Sequence, residues 1–229
     1  MGNQGQLPEG ALRQFEILRG SRELHLDLMR AVLEAGGHPV LLPDLVIHAA
    51  LQRSTHLIDG FIALVEARNA FAAMPLIRLQ LDSVLRIIAC DLAREPQKVL
   101  IALLQGKELR RLKAREEGRQ LNDAYLRSKL AEVFPWVDEV YELTSGYVHL
   151  SRPHMVYPVQ SLSDEGTLSL LLRRDSRYWE DDQLVRAVRV FGEVTVTLFK
   201  VITAWRERKA VTEVTLPWEP SLAPPEAPF

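Results

Sequence analysis

The chain has 229 residues, of which 47% are hydrophobic and 25% charged, and its formal net charge is −2. This length and composition suit a globular protein with one large domain or two small ones. The small net charge excludes nucleic-acid or membrane binding that depends on bulk electrostatics alone. The single cysteine, Cys90, cannot form an internal disulfide, which fits a reducing compartment.

Neither a secretion signal nor a membrane span is indicated by the sequence. A signal peptide has a basic start and an apolar core, and the first ten residues, MGNQGQLPEG, have neither. The longest apolar-leaning stretch, 188–205, is interrupted by Arg189, Glu193 and Lys200, which argues against a membrane span. We therefore expect a cytoplasmic protein.

Two helices are predicted after a flexible N-terminus at residues 1–10. The first covers 11–35 and ends at Gly36-Gly37. Its predicted apolar face consists of Leu12, Phe15, Leu18, Leu24, Leu28, Val32 and Ala35. The second covers 45–73, and Asp44 is placed to cap it.

A third helix, 76–94, carries the most informative pattern. Pro75 predicts either a sharp kink or the first turn of a new helix. Arg78, Asp82 and Arg86 recur every four residues and form one polar stripe on an otherwise apolar helix. Buried arginines need partners, and Asp82 can serve both. Two interpretations stay open: a structural ion network, or the lining of a ligand site.

The charge-rich segment 107–129 predicts a solvated amphipathic helix or helix pair. The alternative is a basic face for a polyanion such as RNA. Further along, the pattern predicts a small β-hairpin at about 154–173 and a last long helix over 178–208. The tail, 211–229, is rich in proline and is predicted to be extended or disordered.

The segment 141–154, YELTSGYVHLSRPH, concentrates polar side chains at the junction between the helices and the hairpin. They are Tyr141, Glu142, Ser145, Tyr147, His149, Ser151, Arg152 and His154. The two histidines can act as acid and base, because imidazole titrates near neutral pH. Arg152, or Arg78 from the third helix, can stabilise a phosphate.

That trio is what RNA cleavage without a metal requires: a base, an acid and a cation. The competing interpretation is that both histidines form hydrogen bonds across the helix junction and hold the hairpin in place.

The sequence contains no GxGxxG, P-loop, CxxC pair or HExxH. Their absence argues against dinucleotide binding, P-loop NTP hydrolysis and the common zinc sites, so we expect no cofactor and no metal.

The pairing of ARNAFAAMPLIRLQLDSVLRI with YELTSGYVHLSRPH resembles a group of uncharacterised bacterial proteins. They share an Arg-x-x-x-Asp helix and a Ser-Gly-Tyr-Val-His-x-Ser motif. The group is similar in turn to the HEPN-like helical superfamily, whose members include RNA-cleaving toxins and defence proteins. Active HEPN ribonucleases carry an arginine about five residues before a histidine. When His149 is matched to that histidine, Thr144 and Ser145 stand where the arginine would be.

We therefore predict a mainly all-α fold: one helical domain over 11–210, a bundle of five to seven helices, with one hairpin before the last helix. The resemblance implies a homodimer that binds RNA or a nucleotide-like ligand and is a degenerate or atypical ribonuclease of a defence or toxin–antitoxin type. The alternative is a non-enzymatic interaction or scaffold protein whose polar cluster is structural. The catalytic candidates are His149 and His154. The ligand-binding candidates are Arg78, Asp82, Arg86, Tyr141, Ser145 and Arg152.

Overall fold

The computed structural model describes residues 7–37, 39–116, 118–149, 151, 154–155, 159–162, 168–170 and 180–211. Seven α-helices lie within them. They are α1 (Glu9–Glu34), α2 (Leu42–Glu66), α3 (Ala70–Leu92), α4 (Gln97–Leu104), α5 (Asp123–Ala131), α6 (Val137–Val148) and α7 (Asp181–Val211). The prediction of a mainly helical bundle is confirmed. None of the described helices is long and apolar enough to cross a membrane.

Helix α3 is the centre of the bundle. It packs against α2, α7 and α6, and α5 and α4 meet it at its sides. Ile77, Leu81, Val84 and Leu85 are fully buried on it, and all seven helices contribute to one contiguous apolar core. A helix with neighbours on most sides buries polar side chains together with apolar ones, so those polar groups need partners from other helices.

The break between α2 and α3 lies earlier than the sequence predicts. Arg68 has a positive φ of 52°, and the side chain of Asn69 accepts a hydrogen bond from Ala72 N at 3.2 Å. This N-cap starts α3 at Ala70, so Pro75 lies in its second turn. The prediction that α2 extends to residue 73 is therefore wrong, because a capped turn separates the two helices.

The predicted helix or helix pair over 107–129 is wrong before residue 123, and only the end of this segment is helical, in α5. Before α5 the segment contains a short 3-10 turn, Leu109–Arg111, and isolated bridges that pair Ala114 with Ala93 and Lys113 with Gln120. Helix α5 begins only at Asp123, where the Asn122 side chain caps Tyr125 N. The backbone of this segment bonds instead to the end of α3, through Arg94 N to Lys113 O and Arg115 N to Leu92 O.

On α1 the buried face differs from the predicted one at two positions. Leu12 and Leu24 are exposed, whereas Ala11 and His25 are buried. The predicted end of α1 at the glycine pair is confirmed: Gly36 and Gly37 have φ values of 66° and 65°, which residues with a Cβ rarely adopt.

Two short strands precede α7. Strand β1 (Val159–Leu162) pairs antiparallel with β2 (Leu168–Leu170), and both lie within the range predicted for the hairpin. The residues that join them, 163–167, lie outside the described part of the chain, as do residues 1–6 and the predicted extended or disordered tail from 212 onward.

Candidate functional site

The polar stripe of α3 lies in a cluster of five charged side chains that we call the arginine cluster: Arg53, Arg78, Asp82, Arg86 and Asp123. Arg86 donates to Asp82 at 2.6 Å and to Asp123 at 3.0 Å. Arg53, from α2, donates to Asp82 at 3.2 Å. Arg78 lies 3.9 Å from Asp82 and 3.5 Å from Asp123. The cluster thus joins α2, α3 and α5.

The arginine cluster has more positive than negative charge. Three guanidinium groups share two carboxylates, which leaves a formal surplus of one positive charge. The side chains of Arg53, Arg86 and Arg78 are 39%, 24% and 12% exposed. Solvent therefore reaches the cluster, and a bound anion would meet arginines that are already oriented by their carboxylates.

Tyr141 on α6 extends this arrangement to a further helix. The guanidinium carbon of Arg78 lies 3.9 Å from the centre of the Tyr141 ring, and that of Arg127 lies 4.6 Å from it. Arg127 is held by Asp138 at 2.8 Å and by Glu142. Guanidinium groups at such distances from a ring are attracted by its π electrons, so Tyr141 connects the arginine cluster to α6.

His149 stands apart from this group. It is the first residue after α6, its backbone is extended, and it is exposed. It follows Tyr141 by eight residues, a rise of about 12 Å along a helix axis. Ser145, on the same helix, is half-buried. The contacts that unite Arg78, Asp82, Arg86 and Tyr141 do not extend to Ser145 or His149 in the part of the chain described.

His154 makes contacts that brace the chain after α6. Its Nε2 donates to Tyr147 O at 3.3 Å, and its ring centre lies 5.2 Å from that of Phe71 and 6.1 Å from that of Tyr147. Nearby, Ser151 Oγ donates to Gly146 O at 2.6 Å. These contacts match the bracing interpretation of His154. Arg152 lies outside the described residues.

Sequence reasoning missed a hydrogen-bond chain in the core. His25 Nδ1 donates to Ser21 O at 2.7 Å, and His25 Nε2 accepts from Ser54 Oγ at 2.9 Å. Gln80 Nε2 donates to Ser54 Oγ at 2.6 Å and to Thr195 Oγ1 at 3.1 Å. These hydrogen bonds connect α1, α2, α3 and α7. Ser54 and His25 resemble a nucleophile and its base, but both are buried, so we interpret the chain as structural.

His25 makes the stability of the fold depend on pH. Burial lowers the pKa of His25 below its usual 6.5 and keeps the ring neutral. Its polar neighbours, Ser54 and Gln80, are uncharged. Above about pH 6.5 the ring is neutral in both states, whereas below it only the unfolded chain takes up the proton. The contribution of His25 to stability is therefore lost as the pH falls through the unfolded pKa.

We expect the difference in unfolding free energy between the wild type and His25→Gln to shrink from about pH 7.5 to about pH 5.5. Urea unfolding at both pH values measures it, and all other titrating groups are common to the two proteins. A difference that stays constant between the two pH values would show that His25 is protonated equally in both states.

A second group missed by sequence reasoning is a buried ion pair. Lys209 Nζ lies 2.8 Å from Asp44 Oδ2, and both side chains are 0% exposed. Trp205 Nε1 donates to Asp44 Oδ1 at 2.9 Å, and Lys209 also donates to Val32 O at 2.9 Å. Helix α2 begins at Leu42, three residues before its predicted start, so Asp44 is its third residue and not its N-cap as predicted; its carboxylate accepts a hydrogen bond from N of the N-cap residue, Leu41. Its second role fastens the end of α7 to the start of α2.

Comparison with protein-family models, curated proteins and solved structures found no match to this chain.

Proposed function

We propose that the protein binds RNA or a nucleotide-like ligand at the arginine cluster, and that it does so without cleaving it. The observation that carries the proposal is that Arg53, Arg78 and Arg86 share two carboxylates at a surface that solvent reaches. The adjoining Arg127 has two carboxylates of its own, so the excess of positive charge is local to these three arginines. Arginine binds phosphate through a planar, two-pronged set of donors. Arg53, the most exposed of the three, is the residue that first meets the ligand.

The aromatic side chain beside the cluster favours a nucleotide over a simple anion. Tyr141 is half-buried, and Arg78 and Arg127 hold its ring in place. Because both guanidinium groups lie over the ring, a base would stack on these arginines and not on the ring itself, since arginine also stacks on aromatic faces. A phosphate on Arg53 and Arg86 with a base near Tyr141 uses both features.

Among the activities that the HEPN-like resemblance implies, the placement of His149 and the contacts of His154 favour RNA binding without RNA cleavage. His154 bonds to Tyr147 O, while His149 lies eight residues beyond Tyr141. Neither histidine is paired with an arginine in the described residues. On this proposal the protein is a HEPN-like helical homodimer in the cytoplasm, and a degenerate relative of the ribonucleases of defence and toxin–antitoxin systems.

Substituting Arg53 with glutamine should weaken binding of labelled single-stranded RNA by roughly fivefold, because one phosphate contact is worth on the order of 1 kcal/mol. Fluorescence anisotropy at fixed salt measures the affinity. Arg19→Gln is the matched control: Arg19 is an exposed arginine paired with one carboxylate, Glu66 of α2, but it lies outside the cluster. Equal affinity of both variants for RNA would remove the arginine cluster from the binding site.

The second candidate function is the interaction or scaffold protein, whose polar cluster only braces the fold. It is favoured by the short distances from Arg86 to Asp82 and Asp123, because these bonds join α3 to α5. The same experiment separates the two candidates. A scaffold protein should show no RNA affinity that depends on Arg53, whereas a binding protein should lose affinity in Arg53→Gln with its melting temperature unchanged.

A further inference from the structure

A groove of about 480 Å³ lies between α3, α5 and α7, away from the arginine cluster. Its apolar lining includes Ile87, Leu92, Leu130, Val201 and Ala204. The groove therefore offers an apolar surface of the size that buries one or two large side chains.

The rim of the groove carries an exposed valine and several charged side chains. With Lys200, the lining has four cations against three carboxylates: Arg115, Lys129, Lys200 and Arg208, and Asp91, Glu116 and Glu132. Val133 is 71% exposed. Lys200 lies 5.6 Å from the centre of the Phe134 ring and has no carboxylate partner among the described residues. An apolar floor beside such a cation fits a peptide that combines an aromatic side chain with an acidic one.

The sequence that follows α7 has this composition. Residues 212–219 read TEVTLPWE. They contain Glu213 and Glu219 and no lysine or arginine, so their charge complements that of Lys200. Trp218 and Leu216 are the large apolar side chains of this segment.

The reach of this segment matches the position of the groove. α7 ends at Val211, less than one turn after Arg208, which lines the groove. Lys200 lies eleven residues before Val211, about 16 Å back along the helix axis. The seven residues from Val211 to Trp218 span about 23 Å when extended, so the segment is long enough for Trp218 to reach back along α7 as far as Lys200.

We propose that the groove is a docking site for residues 212–219 of the same chain. Trp218 occupies the apolar floor between α5 and α7, and Glu219 pairs with Lys200. The docked segment covers Val133.

Disulfide trapping in the full chain tests this docking. Val133→Cys is combined with Pro220→Cys, which leaves Trp218 and Glu219 intact. The native Cys90 does not interfere, since it is buried and burial raises its pKa to about 12. Val40→Cys with Pro220→Cys is the matched control. Val40 is also an exposed valine, at 54%, and lies four residues from Asp44, which pairs with Lys209 near the start of the tail.

We expect the 133–220 disulfide to form within one chain at least about tenfold faster than the 40–220 disulfide, because docking raises the local concentration of position 220. Trp218→Ala and Lys200→Glu, each added to the 133–220 pair, should remove most of that advantage. Equal rates for the two pairs would overturn the proposal. Disulfide-linked dimers as the main product would overturn it too, since the occupant would then be a second copy. Melting curves recorded without added thiol check that each variant is folded.

Discussion

Substituting Asp44 with asparagine should lower the free energy of unfolding by about 3–5 kcal/mol, because it leaves a buried lysine without a counter-charge. Lys209 is fully buried and its ammonium group has two partners: the Asp44 carboxylate and Val32 O. The asparagine has nearly the same shape, so packing changes little. The loss reports the missing charge together with one missing acceptor, because the amide nitrogen of asparagine cannot accept the hydrogen bonds that reach Asp44 from Trp205 on one oxygen and from Leu41 N and Lys209 on the other. Urea unfolding measures it.

The control for Asp44 is Glu66→Gln. It also neutralises one carboxylate of a pair that joins two helices, but Glu66 and Arg19 are both about half exposed. Solvent screens such a pair, and its loss should cost less than about 1 kcal/mol. Equal losses for the two variants would mean that the Asp44–Lys209 pair does not fasten α7 to α2.

The second large loss is expected for Ser54→Ala, at about 2–4 kcal/mol, because each buried group left without a hydrogen bond costs about 1–3 kcal/mol. Removal of the Ser54 hydroxyl leaves both His25 Nε2 and one Gln80 N–H without their partner. The neighbouring Thr55→Ala is the control, since its hydroxyl donates to Gln52 O at the surface. Thermal or urea unfolding compares them, and a Ser54→Ala loss no larger than that of Thr55→Ala would contradict a role for the buried chain.

The central helix could be predicted because its pattern is local. Apolar residues at helical spacing and a charged residue every fourth position indicate both the helix and its polar stripe. The partners of that stripe could not be predicted in the same way. Arg53 lies 29 residues from Asp82, and Asp123 lies 37 residues from Arg86, so only the packing of α2 and α5 on α3 brings them together.

The hydrogen bonds of His25 show a second reason why the sequence could not predict the core fully. Leu24 and His25 are neighbours, and either is compatible with the helical spacing of α1. Hydrophobicity favours Leu24 for the core, whereas the structure buries His25 because Ser54 and Ser21 O satisfy both ring nitrogens. A pattern of one segment does not contain the hydrogen-bond partners that another segment supplies.

The helix predicted over 107–129 is wrong before residue 123 for a related reason. Its charged residues suit a solvated helix, but its backbone bonds with the end of α3 instead. Such pairing depends on where α3 ends, which lies outside the segment. The candidate residues of 141–154 were grouped because they are close in sequence, but their contacts differ. Tyr141 contacts the arginine cluster, whereas His154 braces the chain after α6.

The salt dependence of RNA binding decides whether the arginine cluster contacts phosphate. A plot of log Kd against log salt concentration should be steep for the wild type, because phosphate binding releases counterions. For Arg53→Gln the slope should fall by about 0.7, the value of one phosphate contact on a single strand, while Arg19→Gln keeps the wild-type slope. A flat plot for the wild type, or the same slope in all three proteins, would contradict the proposed binding site.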